Sequence, residues 1–319
     1  MAVPVNRLPP EVLSRVLEYR TCERDLVAAT HVCRYWRSTL ISAPSLWTCF
    51  RLRSSDDLNC TLTYLERSKS APIDVTININ SSGDPKHLAP HIARIRSLIM
   101  QGSYGIHAAS LFFCNPAPSL QHLEIDSHQN YTPLPNNFLG QQAPSLRFVS
   151  FSGVCPTFGS LFPLPNLAEF NLYLSGGTDL FRMDALFRFL SDCPRLRKIR
   201  IYTPNETPQD IDQGQIISLE SLVELEYFHN PGGRILPYLR LPRLEQLRLT
   251  SSLEPGQVQK LADILPYDGR ALLARTTEMV YYSQERSLKV DLSGNGVSVS
   301  FSVFRTMEDR PSEIGRAHV

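Results

Sequence analysis

The chain carries 7 cysteines and 8 histidines alongside many serines and acids, the side chains that could attack a bond, move a proton or hold a metal. Their spacing gives them none of these tasks. Zinc needs clustered thiolates or imidazoles. Cys22, Cys33, Cys49, Cys60, Cys114, Cys155 and Cys193 contain no Cys-x-x-Cys pair and no histidine at ligand spacing. An elbow serine needs G-x-S-x-G, a metalloprotease helix H-E-x-x-H, a phosphate loop G-x-x-x-x-G-K-[ST] and a dinucleotide turn G-x-G-x-x-G. None of these strings occurs. The expectation is therefore no catalytic residue, no metal and no cofactor. The chemistry left is binding, and two sets of apolar and aromatic residues are placed for it, one near the N-terminus and one spread along the chain.

Composition bounds the partners. Lysine plus arginine (32) nearly cancels aspartate plus glutamate (31), leaving a net charge of +1 across 319 residues. A general binder of nucleic acid or acidic membrane needs an unbalanced basic field, so neither partner is expected. No apolar run approaches the length of a spanning helix. The start, MAVPVNRLPPEVL, lacks the apolar core of a secretory signal. An odd number of cysteines without such a signal predicts no disulfide framework. These features point to an intracellular protein, cytoplasmic or nuclear.

Elements must position the first set. In Leu8-Pro9-Pro10-Glu11, Pro10 suits a first helical turn, where its missing N–H is not needed, and Glu11 complements the positive end of the dipole. Val12, Leu13, Val16 and Leu17 then form one apolar face. A second helix is predicted from about Asp25, with Leu26, Ala29, Cys33, Trp36 and Leu40 as one continuous stripe, ending before Pro44. Ser45-Leu46-Trp47 comes next. So small a bundle has little stability alone and must dock on something.

These residues resemble an F-box, in the form common among fungal F-box-like proteins. LPPEVLSRVLEY, DLVAATHVCRYWRS and APSLW reproduce its order of Leu-Pro, Glu-Val-Leu, Asp-Leu, Val-Cys-x-x-Trp-Arg and Ser-Leu-Trp between Leu8 and Trp47. Arg20 departs from the family, which has an apolar residue after Leu-x-Tyr. The resemblance implies docking on the small Skp-type adaptor of cullin–RING (SCF) ubiquitin ligases, and through it on the cullin. Leu8, Pro9, Val12, Leu13, Trp36 and Trp47 match the family's apolar contact and core positions. Leu8, Pro9 and Leu13 are expected to face outward, with the tryptophans left open between contact and core.

Beyond the bundle, Leu58, Leu62 and Leu65 predict a helical linker within 51–72, and Ile73, Val75, Ile77 and Ile79 an alternating strand. TYLERSKSAPIDVTI resembles the segment that comes after the F-box in fungal relatives. An apolar-x-x-apolar-x-apolar pattern then recurs, starting at Ile95, Leu120, Leu146, Leu167, Leu196, Leu222 and Leu244, at intervals of 25, 26, 21, 29, 26 and 22 residues. A proline two residues ahead announces most copies. Such periods read as leucine-rich repeats, and Met183–Cys193 is predicted as a helical return. The asparagine or cysteine that this repeat places eight residues after its first leucine occurs once, as Asn230.

If Leu98, Leu123, Val149, Phe170, Ile199, Leu225 and Leu247 point inward, their neighbours line the other face. Glu169, Lys198/Arg200, Glu224/Glu226 and Arg248 alternate in sign and are expected to pair across strands. Phe148, Tyr173, Tyr202 and Phe228 fall on four consecutive repeats and suggest a surface for a protein target.

The fold class expected is α/β: a short N-terminal α-helical F-box bundle (1–50), a helical linker (51–72) and a leucine-rich-repeat solenoid of parallel strands with irregular or helical returns (73–305). A polar tail (306–319) ends in Ile314–Val319, which looks like a translated sequencing adapter, and in that case the array lacks its natural C-terminal cap. The function expected is a non-enzymatic substrate receptor of an SCF-type ligase. The alternative is a leucine-rich-repeat scaffold acting outside a ligase complex.

Overall fold

The N–H of Leu120 bonds to the carbonyl of Ala117 at 3.1 Å, and the same closure recurs at Leu146/Ala143, Leu167/Leu164, Leu196/Cys193, Leu222/Leu219 and Leu244/Leu241. Each closure is a four-residue turn. All but one carry proline at the second position, where its fixed φ is already that of the turn; Glu220 stands there in the exception. Both ends of every such turn are buried. The proline that announces a repeat in the sequence is thus the corner from which the chain swings into a strand.

The computed structural model describes residues 8–18, 23–53, 58–78, 85–102, 114–127, 132–135, 137–155, 164–174, 183–203, 216–229, 236–253, 266–267, 269–276, 278–284 and 287–305. Ile79, Arg20, Asn230 and the 306–319 tail lie outside them. The fold is mixed α/β, its sheet mostly parallel and its helices few. The chain divides into two units, Met1–Leu167 and Ala168–Val319.

In the first unit, α1 (Pro10–Glu18), α2 (Glu23–Ala29) and α3 (Arg34–Ile41) lead through a 3-10 turn (Pro44–Trp47) into β1 (Cys49–Leu52). Then come α4 (Leu58–Arg67), β2 (Ile73–Asn78), β3 (Ile95–Gln101), β4 (His122–Asp126) and β5 (Phe148–Ser152). The strands pair in parallel in chain order. Their register lines up Phe50, Val75, Leu98, Leu123 and Val149 in one row and Leu52, Ile77, Met100, Ile125 and Phe151 in the next. All ten are buried. Each contributes about 1.5–3 kcal/mol relative to exposure, so the two rows form the core of this sheet.

The second unit holds β6 (Glu169–Tyr173), α5 (Met183–Ser191), β7 (Lys198–Thr203), β8 (Glu224–His229), β9 (Gln246–Leu253), α6 (Gly269–Ala274), β10 (Glu278–Gln284), β11 (Ser287–Gly294) and β12 (Val297–Arg305). Strands β6 to β9 are parallel and in register, and Phe170, Ile199, Leu225 and Leu247 form the matching buried row. α5 buries Leu186, Phe187 and Leu190.

Three expectations change here. The stripe Leu26–Leu40 is not one helix. The Thr30 hydroxyl donates to the Val27 carbonyl at 2.7 Å, closing α2, and Cys33 turns extended (φ −158°, ψ 172°) to cap α3, its Sγ accepting from the Trp36 N–H. A side chain that bonds its own backbone competes with helix continuation, and here it wins. Second, the 51–72 segment is no free linker: the chain forms β1 before α4, and β1 pairs with β2, so α4 is a packed crossover. Third, the sheet does not stay parallel to its end. β12 pairs in parallel with β9, but β11 and β10 join it antiparallel. Asn295 (φ 46°) and Gly296 (φ 74°) make the tight turn between the last two strands. Val297 and Val299 are buried along the edge of β9, so strand β12 covers the last repeat.

Backbone bonds between neighbouring strands close the strand ends. Where strands end, the Gly102 N–H donates to Asp126 O (2.9 Å), Ser127 N–H to Ser152 O (2.8 Å) and Leu174 N–H to Tyr202 O (2.8 Å). Carbonyls of the next strand thus satisfy the N–H groups where each strand ends.

Candidate functional site

The N-terminal bundle sorts its apolar residues cleanly. Leu13 is only 1 % exposed and Trp47 is fully buried, its Nε1 donating to the Leu40 carbonyl at 2.8 Å. The outward reading of Leu13 is therefore corrected: it is the buried residue of α1, the helix that packs on α3 and the 3-10 turn. An apolar face four residues wide (Val12, Leu13, Val16, Leu17) exceeds what this small bundle can cover, so the helix rolls Leu13 inward and leaves Val12 (44 %) and Val16 (55 %) outside. With exposed Pro9 they form a stripe at i, i+3 and i+7. Leu8 is half-buried, and its carbonyl accepts from the Tyr35 hydroxyl at 2.6 Å, which fixes the start of α1. Trp36 is half-buried, and its Nε1 has no hydrogen-bond partner among the described residues.

Sequence reasoning did not count Val16, or the exposed Val32 in the turn between α2 and α3, among the contact residues. The signal for Val16 was present: an apolar face too broad for the core available. Val32 was read only as part of the Val-Cys-x-x-Trp-Arg string, inside a stripe that reads as continuous helix.

Trp47 also ties the bundle to α4 and β1. Its ring meets Tyr64 of α4 edge-on at 4.9 Å, Phe50 of β1 lies 5.9 Å from Tyr64, and the Arg67 guanidinium sits 4.3 Å over the Trp47 ring. The far end of α4 is held by Arg94, which donates to Ser68 Oγ (3.0 Å), Ala71 O (2.8 Å) and Leu65 O (3.1 Å). A cation there satisfies the last carbonyls and the negative end of the dipole. Burial holds Arg94 below the usual guanidinium value, and burial with the Arg94 charge holds His91 below the usual imidazole value.

In the second unit the outward charges pair across strands. Lys198 meets Glu224 at 2.6 Å; Arg200 meets Glu169 at 2.8 Å and Glu226 at 3.4 Å; Arg248 reaches Glu226 at 3.9 Å. Tyr173 registers with Tyr202, and Tyr202 with Phe228, so three aromatics stand in one row. Tyr202 and Phe228 stack with centroids 4.2 Å apart, while Tyr173 and Tyr202 stay 38 % and 39 % exposed. Phe148 does not join that row. It holds the first outward position of its strand, where the other three hold the third, and it stacks on His122 at 4.3 Å with planes 2° apart. Beside the row, Asn171 is buried and its Oδ1 has no partner among the described residues.

Among the described residues no group of three histidines, cysteines or acids could hold a metal, and no helix is long and apolar enough to cross a membrane. What the geometry offers is two surfaces for contact.

Residues 5–53 match the F-box-like family. The N-terminal segment is thus an F-box-like domain, and F-box domains bind Skp-type adaptors. No curated protein matches the chain.

Proposed function

We propose that this protein is the substrate-recognition subunit of an SCF-type cullin–RING ubiquitin ligase. The F-box-like domain docks on the Skp-type adaptor through Pro9, Val12 and Val16 with Leu8 and Trp36 at the rim, and the adaptor links it to the cullin. The repeat-bearing sheet, read as degenerate leucine-rich repeats, holds the target protein. The chain itself supplies no chemistry. Tethering raises the local concentration of target lysines near the conjugating enzyme, which is acceleration by proximity. The observation that carries the reading is an F-box-like domain whose first helix leaves an apolar stripe outside.

The test is co-elution of the full chain with purified Skp-type adaptor, and then with adaptor bound to cullin, on size exclusion. Co-elution at equal stoichiometry is expected in both runs. Separate elution of a folded chain would replace the ligase reading with that of a repeat scaffold.

A further inference from the structure

We propose that the row Tyr173–Tyr202–Phe228 is a platform for an uncharged, proline-rich segment in the polyproline II conformation, laid across the strands. This rests on the reading that the repeat sheet holds the target, and it names the chemistry of the segment held.

Charge argues for an uncharged occupant. Glu169, Glu224 and Glu226 face Lys198, Arg200 and Arg248, and all six are engaged in the pairs between 2.6 and 3.9 Å. A charged ligand would have to compete with these contacts and would meet a field that cancels. A neutral one lies on the rings undisturbed.

Spacing argues for polyproline II. Tyr202 and Phe228 stand 4.2 Å apart and neighbouring strands about 4.8 Å, so Tyr173 and Phe228, two strands apart in register, are separated by about 9 Å. A polyproline II helix rises about 3.1 Å per residue with three residues per turn, and one of its faces returns every 9.3 Å or so. An α-helix spans about 10.8 Å in two turns, and an extended strand repeats a face every 6.8 Å or so. The mismatch over the row is about 0.3 Å for polyproline II and over 1 Å for the others, on those same repeats.

Chemistry agrees. Polyproline II has no internal hydrogen bonds, so its carbonyls are open acceptors. Among the described residues neither the Tyr173 nor the Tyr202 hydroxyl has a hydrogen-bond partner, and both rings are exposed. Beyond Phe228 the register continues to the short, half-buried side chains of Thr250 and Ser302. A platform of three rings is small, so a stiff ligand that loses little entropy on binding suits it.

The experiment titrates the full chain, without adaptor, with a polyproline peptide of about nine residues, three turns of the helix, and with a Gly-Ser peptide of equal length. Saturable binding of polyproline alone is expected. Tyr202→Ala should weaken it about tenfold or more, as for loss of a central aromatic anchor, and Tyr202→Phe should hold it within about threefold, since the ring remains. Raising salt from about 0.05 to 0.3 M should change little, because no charge is involved. Thermal unfolding of each variant shows that the fold is kept. No saturable binding by the wild type, equal binding by Tyr202→Ala, or a steep loss with salt would overturn the proposal. Because the adaptor is absent, a negative result leaves docking on it untouched.

Discussion

The Trp47 indole meets the Tyr64 ring edge-on, centroids 4.9 Å apart and planes at 73°. Trp47 closes the F-box-like bundle and Tyr64 belongs to the crossover helix α4, so one aromatic pair makes the bundle continuous with the first strands of the sheet. The bundle, too small to be stable alone, has found the support it needs.

That pair is expected to be coupled. Trp47→Ala should destabilise the first unit by about 3–5 kcal/mol. A double-mutant cycle with Tyr64→Leu should return a coupling of about 0.5–1.5 kcal/mol beyond lost area. Urea denaturation monitored by tyrosine and tryptophan fluorescence measures both. Additive losses would mean that each ring packs independently.

Arg94 should resist conservative replacement. Its guanidinium serves Ser68, Ala71 and Leu65 together, and an ammonium cannot span three acceptors with the same fork. Arg94→Lys should therefore cost about 1–3 kcal/mol, comparable with leaving one or two part-buried acceptors unmet. A melting temperature equal to the wild type would show that water satisfies these carbonyls.

The fold should weaken on mild acidification through His91. Burial, and then the neighbouring Arg94 charge, lower its folded value. The unfolded chain takes up the proton first as pH falls. Stability is full above the ordinary imidazole value of about 6.5 and is lost as pH falls through the folded value below it. His91→Gln should flatten the dependence of unfolding free energy on pH in that window. An unchanged slope would assign it to other groups.

The charge ladder should matter little to stability. Arg200→Met removes its contacts with Glu169 at 2.8 Å and Glu226 at 3.4 Å, but all three side chains are partly exposed. A loss of about 0.5–1 kcal/mol is expected, shrinking in high salt. A larger, salt-independent loss would mean that Arg200 packs as much as it pairs.

Much of this organisation was legible because two periods are hard to hide. The Leu-x-x-Leu-x-Leu spacing placed Leu123, Ile199 and Leu225 in the core, and the same alternation put Glu226 opposite Arg200 and Tyr202 opposite Phe228. Periodicity was less use at the bundle. It showed that Val12, Leu13, Val16 and Leu17 share a face, but roll about the helix axis decides which half is inside, and that depends on where Trp47 and Leu40 sit. The break at Cys33 was hidden for a similar reason, since an apolar stripe says nothing of the Thr30 hydroxyl that ends the helix. Counting repeats did not show that Phe148 stands at the first outward position of its strand and the other three aromatics at the third.

The most direct test of adaptor docking is calorimetric titration of the Skp-type adaptor into the full chain and into its Val12→Asp/Val16→Asp variant. Both residues are exposed, so the two proteins should melt alike, within about 0.5 kcal/mol of stability. The wild type is expected to bind, and two buried, unpaired carboxylates at the interface should weaken binding by about a hundredfold or more. Equal binding by the variant would contradict docking through this face of the first helix.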